Sequence, residues 1–567
     1  MGQKIEQVRE FCVKYAEILN VLVLAIFCYV FLFAGLGAYP LIDVDETRYV
    51  QIAREMFNSG NCVTPFLNFS PFLEKPPLYF WLSALSFQVF GEDSIFAARF
   101  ANASMGAFIV FFTYFFGRKT LGKTYGLVSA LILLTSIWFL TLSHIAILDL
   151  GFVAVSTAAI YCALLSNFCS PRNKKVCWWF FWAFMGVAVL AKGLIGVLIP
   201  LGTVFMIALF TKSLKELFKP LHFLPGVVIF LMVTVPWHYM VWKANGQAWV
   251  DMYIIKHHFA RFVDSGLGLG RKEPFLFYVP VILVGFVPWT ASLCAFLVRL
   301  IRNIIKDVRA TKAPMIIFTT DTTGQKLLVY SGVWAIFGFL FFSVSSTKLP
   351  TYILTIFPAL ALFCGFYWSA YISSDRYSRG IKISSCITAG IFLLAGITAI
   401  VLRFVDIAKL EPYLADMNCT LVAGGVFFVV VSILSVIFAL KNKRVLLFSS
   451  HVVISLAILI VALLKIFPMM TTFGQSELEN FGAIAKDDAE SILITFDFPE
   501  KYSILNVYDK KINYIHHGDF NALKSAINTH VEHTYVVVKN KNYKEYKNEF
   551  KGFKTVEAGE KYTLLGK

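Results

Sequence analysis

Apolar runs recur along almost the whole chain, and each is long enough to cross a hydrocarbon core of about 30 Å as a helix of roughly 17–25 residues. Candidate spans lie at 18–39, 100–116, 126–143, 150–167, 177–191, 193–210, 223–241, 277–298, 327–346, 350–372, 383–402, 419–440 and 445–467. The first is too long for a removable signal peptide and lacks a small-residue cleavage site, so it is expected to remain as an anchor. After Pro468 the pattern changes. Charged residues become frequent, and "SILITFDF", "KINYIHH", "TYVVVKN" and "KYTLLGK" read as short strands. "DFNALKSAINTH" and "YKEYKNEFKG" read as helical or turn segments. The expected architecture is an all-α polytopic membrane domain of about thirteen transmembrane helices over 1–467, followed by a small α/β domain over 468–567.

Composition supports that reading. Of 567 residues 58% are apolar and 15% charged, with a mean hydropathy of +0.69, which excludes an ordinary soluble enzyme. The net charge of +16 could suggest nucleic acid, but its distribution points elsewhere. If the N-terminus is cytoplasmic, the segments around Arg118/Lys119/Lys123, Arg172/Lys174/Lys175, Lys212/Lys215/Lys219, Arg299/Arg302/Lys306/Arg309/Lys312, Arg376/Arg379/Lys382 and Lys441/Lys443/Arg444 all fall inside. The charge therefore reports topology, no nucleic-acid partner is expected, and the C-terminal domain should face outward. Two outward segments are long, 40–99 and 242–276. The ten cysteines form no CxxC pair; Cys62 and Cys419 would both face outward, where a disulfide between them is possible.

The outward segments carry the unusual chemistry. In "DVDETRYVQIAREMF", Tyr49, Ile52, Ala53 and Met56 form one apolar stripe, lying in lipid or against the bundle. Asp43 and Asp45 sit where the helix begins, as caps or as working acids. "FLEKPPLYFW" sets Glu74 and Lys75 before a rigid Pro76-Pro77, either as a simple salt bridge or as a pair for an anionic ligand. Asp149 ends "SHIAILD", Lys192 stands alone in "AKGLIG", and Lys348 lies in "SSTKLPTY". Charged groups at membrane depth are costly, so their clustering at outward edges favours function. In "YIIKHHFARFVDSGLGLGRK", His257 and Arg261 share a helical face ahead of a glycine-rich, basic stretch that lacks a nucleotide-binding fingerprint. His516-His517 reads as surface rather than as a metal site.

These residues carry a resemblance. "DVDETRYVQIAREM", "FLEKPPLYFWL" and "FGEDSIFAARFANA" in this order resemble the aminoarabinose transferases of the ArnT family. More broadly the chain is similar to the GT-C membrane glycosyltransferases, which include the protein O-mannosyltransferases. The likeness continues through "LAKGLIGVLIP", "HHFARF" and "SSTKLPTYILTIFPALAL", covers roughly residues 20–370, and departs at Leu73 and Lys256-His257. It implies a GT-C fold in the bacterial inner membrane with a periplasmic C-terminal domain. It also implies a sugar donor carried on undecaprenyl phosphate and transfer to a lipid A phosphate at the periplasmic face. By the same resemblance Asp45, Glu74, Lys75 and Asp149 are the catalytic candidates. Arg48, Tyr49, Lys192, His258, Arg261, Lys348 and Tyr352 are the candidates for substrate binding.

The leaving group would be an anionic polyprenyl phosphate, which needs fixed cations rather than a proton donor; Lys75, Lys192, Arg261 and Lys348 suit that clamp. A phosphate acceptor needs little base, leaving Asp45 to position it, orient an amino sugar, or hold a divalent metal. A hydroxyl acceptor would make Asp45 a general base. Inversion follows from a single displacement. Transfer to protein or another glycan is the alternative within the class, and a lipid transporter is the remote one.

Overall fold

The structure, a computed structural model, describes residue 15 and residues 17–260, 273–311, 322–404, 418–516, 518–528 and 533–567. The chain divides into two compact units. The first comprises Met1–Gly35, Asn102–His144 and Leu148–Ala462; the second comprises Leu36–Ala101, Ile145–Ile147 and Leu463–Lys567.

Among the described residues nine helices are long and apolar enough to cross a membrane, eleven if each of two bent pairs is one span. Every apolar run of the sequence falls on helix, but the runs at 18–39 and 193–210 appear as shorter helices, Glu17–Phe33 and Ile195–Phe210. The bends have identifiable causes. Between Lys123–Leu134 and Ile137–Ser143, bent by 65°, the hydroxyls of Thr135 and Ser136 donate back to the carbonyls of Leu131 and Ile132, a competition with the helix ladder that bends it. Between Phe275–Gly285 and Thr290–Lys306, bent by 120°, Pro288 supplies no N–H to continue the ladder. The two breaks bind each other: Ile137 N donates to Val287 O at 3.1 Å, and Trp289 Nε1 donates to Thr135 Oγ1 at 3.0 Å. Leu148–Leu165 is buried on nearly every face, as expected of a central helix in this unit. Ser378–Leu402 and Asn418–Leu440 approach so closely that a Cβ on Gly396 would lie 2.6 Å from Gly425 O, the small-residue contact typical of membrane helices.

In the second unit the acidic helix Asp45–Ser59 begins with Asp45 and Glu46 in its first turn and stops at Gly60, whose φ of 65° few other residues adopt. Its stripe of Tyr49, Ile52, Ala53 and Met56 is buried against protein: Tyr49 meets Tyr79 and Phe80 of the Leu78–Phe90 helix edge-on or tilted. That helix starts directly after Pro76-Pro77, so residues 45–90 of the long segment are two helices joined by a hairpin, β1 (Phe66–Leu67) and β2 (Ser70–Pro71). The tip of this hairpin, Asn68 and Phe69, has positive φ, and both N–H groups donate to the buried Glu55 carboxylate at 2.9 Å.

The C-terminal strands are β3 (Ile492–Phe496), β4 (Ile512–Ile515), β5 (Thr534–Lys539), β6 (Lys554–Ala558) and β7 (Tyr562–Gly566), in the order β4-β3-β5-β7-β6. β3 runs parallel to β4 and β5, whereas β7 is antiparallel to β5 and β6. Side chains alternate between two cores. Leu493, Val537 and Leu564 pack on Leu478, Phe481, Ile504 and Leu505, with Val44 and Leu67 of the first loop against them. Ile494, Phe496, Val536 and Leu565 pack on Leu523 and Phe550. Segment 36–101 and the C-terminal domain thus share one core within this unit. Cys62 and Cys419 are both exposed free thiols.

Candidate active site

Three acids open the Asp45–Ser59 helix, and the fold uses them differently. Asp43 is a tie. Its carboxylate accepts from Thr47 Oγ1 at 2.5 Å and from Ser503 N and Oγ at 2.9 and 2.5 Å, while its own N–H donates to Gln475 Oε1 at 2.8 Å. Glu46 is a buried strut. It is 1% exposed and holds the wholly buried Arg99 in a two-pronged pair at 2.7 and 2.9 Å. The remaining guanidinium N–H groups donate to the carbonyls of Leu36, Tyr39 and Pro40, and the ring of Tyr39 lies 3.8 Å from the guanidinium carbon. All five Arg99 donors are thereby satisfied. Glu46 also accepts from Ile42 N and Ala146 N, which fixes the turn leading into the helix.

Asp45, between them in sequence, points outward. It is 63% exposed and pairs with Arg48 at 2.6 Å. Arg48 also donates to Tyr49 Oη at 3.1 Å and stacks over that ring. The half-buried Glu74 and Lys75 lie on the turn before Leu78–Phe90. Tyr502 links these groups: burial and the Glu500 carboxylate push its phenol well above the ordinary range, Arg48 draws it down, and Glu74 pushes it up. Asp45, Arg48 and Tyr49 therefore form one polar head, with Tyr502 in the fields of both Arg48 and Glu74.

The first unit holds a second cluster. Asp149, in the first turn of Leu148–Leu165, is ion-paired with Lys192, the last residue of Pro171–Lys192, each less than one-fifth exposed. Lys192 Nζ stands 4.2 Å from the Tyr352 ring centroid and 5.4 Å from that of Phe152, placing a largely buried cation between a carboxylate and two aromatic faces. Lys348 is 6% exposed and donates to the carbonyls of Ser345 and Glu273 at 2.7 and 3.0 Å. Its charge is held in place by backbone. Of the basic loop, the side chain of His258 and all of Arg261 lie outside the described residues.

For a metal, the donor sets are poor among the described residues: no three His, Cys, Asp or Glu side chains stand together. Asp45 faces a guanidinium instead, and His516 faces Glu500 at 3.5 Å, while His517 lies outside the described residues.

The family model of dolichyl-phosphate-mannose-protein mannosyltransferases matches residues 17–224. An undecaprenyl phosphate-alpha-4-amino-4-deoxy-L-arabinose arabinosyl transferase of Shewanella sediminis is 28% identical over 494 residues, covering 84% of this chain and 82% of that protein. The protein of the same description from Pectobacterium carotovorum is 27% identical, covering 72% and 69%. In three dimensions the chain matches ArnT of Cupriavidus metallidurans bound to undecaprenyl phosphate, with a TM-score of 0.73, 21% identity and 97% of both chains covered. The apo form of that enzyme gives a TM-score of 0.71 at 22% identity. The chain has the fold of ArnT and is similar in sequence to these membrane glycosyltransferases.

For a multi-pass membrane transferase of this kind, sequence reasoning passed over Glu46, Arg99 and the role of Asp43. Arg99 carried a signal, being a lone cation at the head of a long apolar helix, where an unpaired charge is expensive. Nothing local marked Ser503 as the partner of Asp43, 460 positions away.

Proposed function

We propose that this transferase moves a sugar, 4-amino-4-deoxy-L-arabinose, from undecaprenyl phosphate to a phosphate of lipid A. The observation that carries the assignment of the reacting acid is the division of labour at the head of the Asp45 helix. Asp43 and Glu46 are consumed by the fold, whereas Asp45 stands outward and, among the described residues, is paired with Arg48. A carboxylate so displayed orients a cationic amino sugar or an acceptor, and a phosphate acceptor is already nucleophilic at neutral pH. In the first unit Lys192 and Lys348 are assigned to supply positive charge to the departing polyprenyl phosphate, with Asp149 and Tyr352 orienting them; in the second unit Lys75 is assigned as a cation for an anionic group, with Glu74 and Tyr49 beside it, and the resemblance assigns Arg261 and His258 to substrate binding. The sugar and carrier by which the similar proteins are described support this choice.

The basic connections are taken to face the cytoplasm, so the N-terminus is cytoplasmic and residues 468–567 are a periplasmic domain attached to the membrane domain of residues 1–467. Segment 40–99 and residues 468–567 belong to one compact unit, which supports their lying on the same side. Mass spectrometry of lipid A from a strain lacking the gene, complemented with wild type or Asp45→Asn, tests the proposal. Aminoarabinose on phosphate should vanish with deletion and return only with wild type; unchanged lipid A would defeat it. The match to the protein mannosyltransferase family favours one second reading, a hydroxyl acceptor on protein with Asp45 as base. Loss of a glycoprotein signal with intact lipid A in the same strain would select it.

A further inference from the structure

The sugar-transfer reading leaves unused a basic end of the first unit that adjoins an apolar cavity. The Pro171–Lys192 and Ile195–Phe210 helices run antiparallel through the turn at Gly193, so the start of one and the finish of the other meet. The short Leu214–Leu217 helix and the start of Pro220–Trp249 follow there. Segments 171–175 and 211–220 carry Arg172, Lys174, Lys175, Lys212, Lys215 and Lys219 and a single acid, Glu216. Glu216 ion-pairs with both Lys174 and Lys219, and a single carboxylate cannot neutralise two ammonium groups. The surplus cations need a counter-charge.

Immediately beside this triad lies a cavity of ≈ 470 Å³ walled by Trp178, Trp182, Leu201, Phe205, Phe218 and Phe223, within the ~300–1,000 Å³ usual for small-molecule sites. Phe205 and Phe218 at its edge are 38% and 58% exposed, so apolar surface is open there. Trp178 stacks on His222 at 5.0 Å and 8°, and His222 Nε2 lies 2.6 Å from Glu216 O. One aromatic wall thus joins the charged rim to the apolar interior. An amphiphile with an anionic head and a hydrocarbon tail matches both halves, and basic pockets between membrane helices are known receptors for such heads.

We propose that this end binds an anionic bilayer phospholipid, its phosphate on Lys174 and Lys219 and an acyl chain in the Trp178–Phe218 cavity. Native mass spectrometry of the purified full-length protein with added phosphatidylglycerol, phosphatidylethanolamine or undecaprenyl phosphate tests it without any turnover, so its outcome is separate from that of the sugar-transfer reading. Phosphatidylglycerol occupancy should fall at least tenfold in Lys174→Gln/Lys219→Gln and be retained in Lys174→Arg/Lys219→Arg. Phosphatidylethanolamine should bind weakly to all, and undecaprenyl phosphate equally to all. Phe218→Asp, at the exposed mouth, should also lower phosphatidylglycerol occupancy and serves if the double variant does not fold. Equal phosphatidylglycerol occupancy in wild type and these variants would overturn the proposal. Dependence of undecaprenyl phosphate, rather than phosphatidylglycerol, on the two lysines would overturn it too.

Discussion

On the buried side of the Asp45–Ser59 helix, Glu46 and Arg99 are 1% and 0% exposed; on its outward side, Asp45 and Arg48 are 63% and 25% exposed. Both are carboxylate–guanidinium pairs, and they begin at adjacent residues. The buried pair has every guanidinium donor bonded and two further backbone N–H groups on its carboxylate. The outward pair has a single ionic contact, and its Arg48 rests on Tyr49 instead of on backbone carbonyls. Burial makes the first pair indispensable to the loop, because losing one partner strands a charge in a medium that cannot solvate it. Exposure makes the second nearly neutral for stability and leaves its carboxylate available to a substrate. A charged residue therefore belongs to the scaffold or to the chemistry according to what surrounds it.

The contrast can be broken by mutation. Glu46→Ala should cost about 3–5 kcal/mol of stability by leaving Arg99 buried and unpaired, read as a large drop in the thermal midpoint of the purified protein. A midpoint near wild type would mean that the strut carries no load. Asp45→Asn should change stability by less than about 0.5 kcal/mol while lowering transfer by roughly 10²–10³-fold, measured with polyprenyl-phosphate sugar and acceptor in detergent. Parallel loss of folding and activity would erase the distinction between the two sides.

Ser503→Ala removes only a hydroxyl from the Asp43 tie, which retains the Ser503 N–H and Thr47. It should cost about 1–2 kcal/mol, visible in hydrogen exchange of the helix start and of Tyr502–Tyr508 together. The smallest effect concerns pH. Burial raises the pKa of Glu55 above the ordinary 4.5, although Gln51 and the N–H groups of Phe69 and Asn68 oppose it. The folded state then binds this proton more tightly than the unfolded one. Its contribution to stability is fully present below pH 4.5 and is lost as pH rises through the folded value. Relative to Glu55→Gln, wild type should gain stability as pH is lowered from neutrality; a flat difference would show that the hairpin N–H groups solvate the carboxylate as well as water does.

Much of this was legible in the residues. The runs at 100–116, 150–167 and 350–372 announced their helices because crossing a membrane is a demand on local composition. Strands β3, β4, β5 and β7 announced themselves through apolar, β-branched runs. Strand β6, with Lys554, Thr555 and Ala558 exposed at the sheet edge, did not, since its pairing comes from β7 and not from its own side chains. The Asp45 helix was legible from its stripe, yet whether that stripe met lipid or protein was not, because Tyr79 and Phe80 arrive from another helix.

The sequence by itself determined the membrane class, the helical runs, the C-terminal α/β domain and the motifs that make the chain resemble ArnT. All are written in stretches of at most a few dozen neighbouring residues, where hydropathy, period and spacing act. Only the tertiary structure decided which acid at the head of the Asp45 helix is a strut, which a tie and which a displayed carboxylate. Those roles depend on Arg99, Ser503 and Arg48, whose positions around three nearby acids are set by packing across 53, 460 and 3 residues. Burial and hydrogen bonding, not residue type, assign the function of a charge.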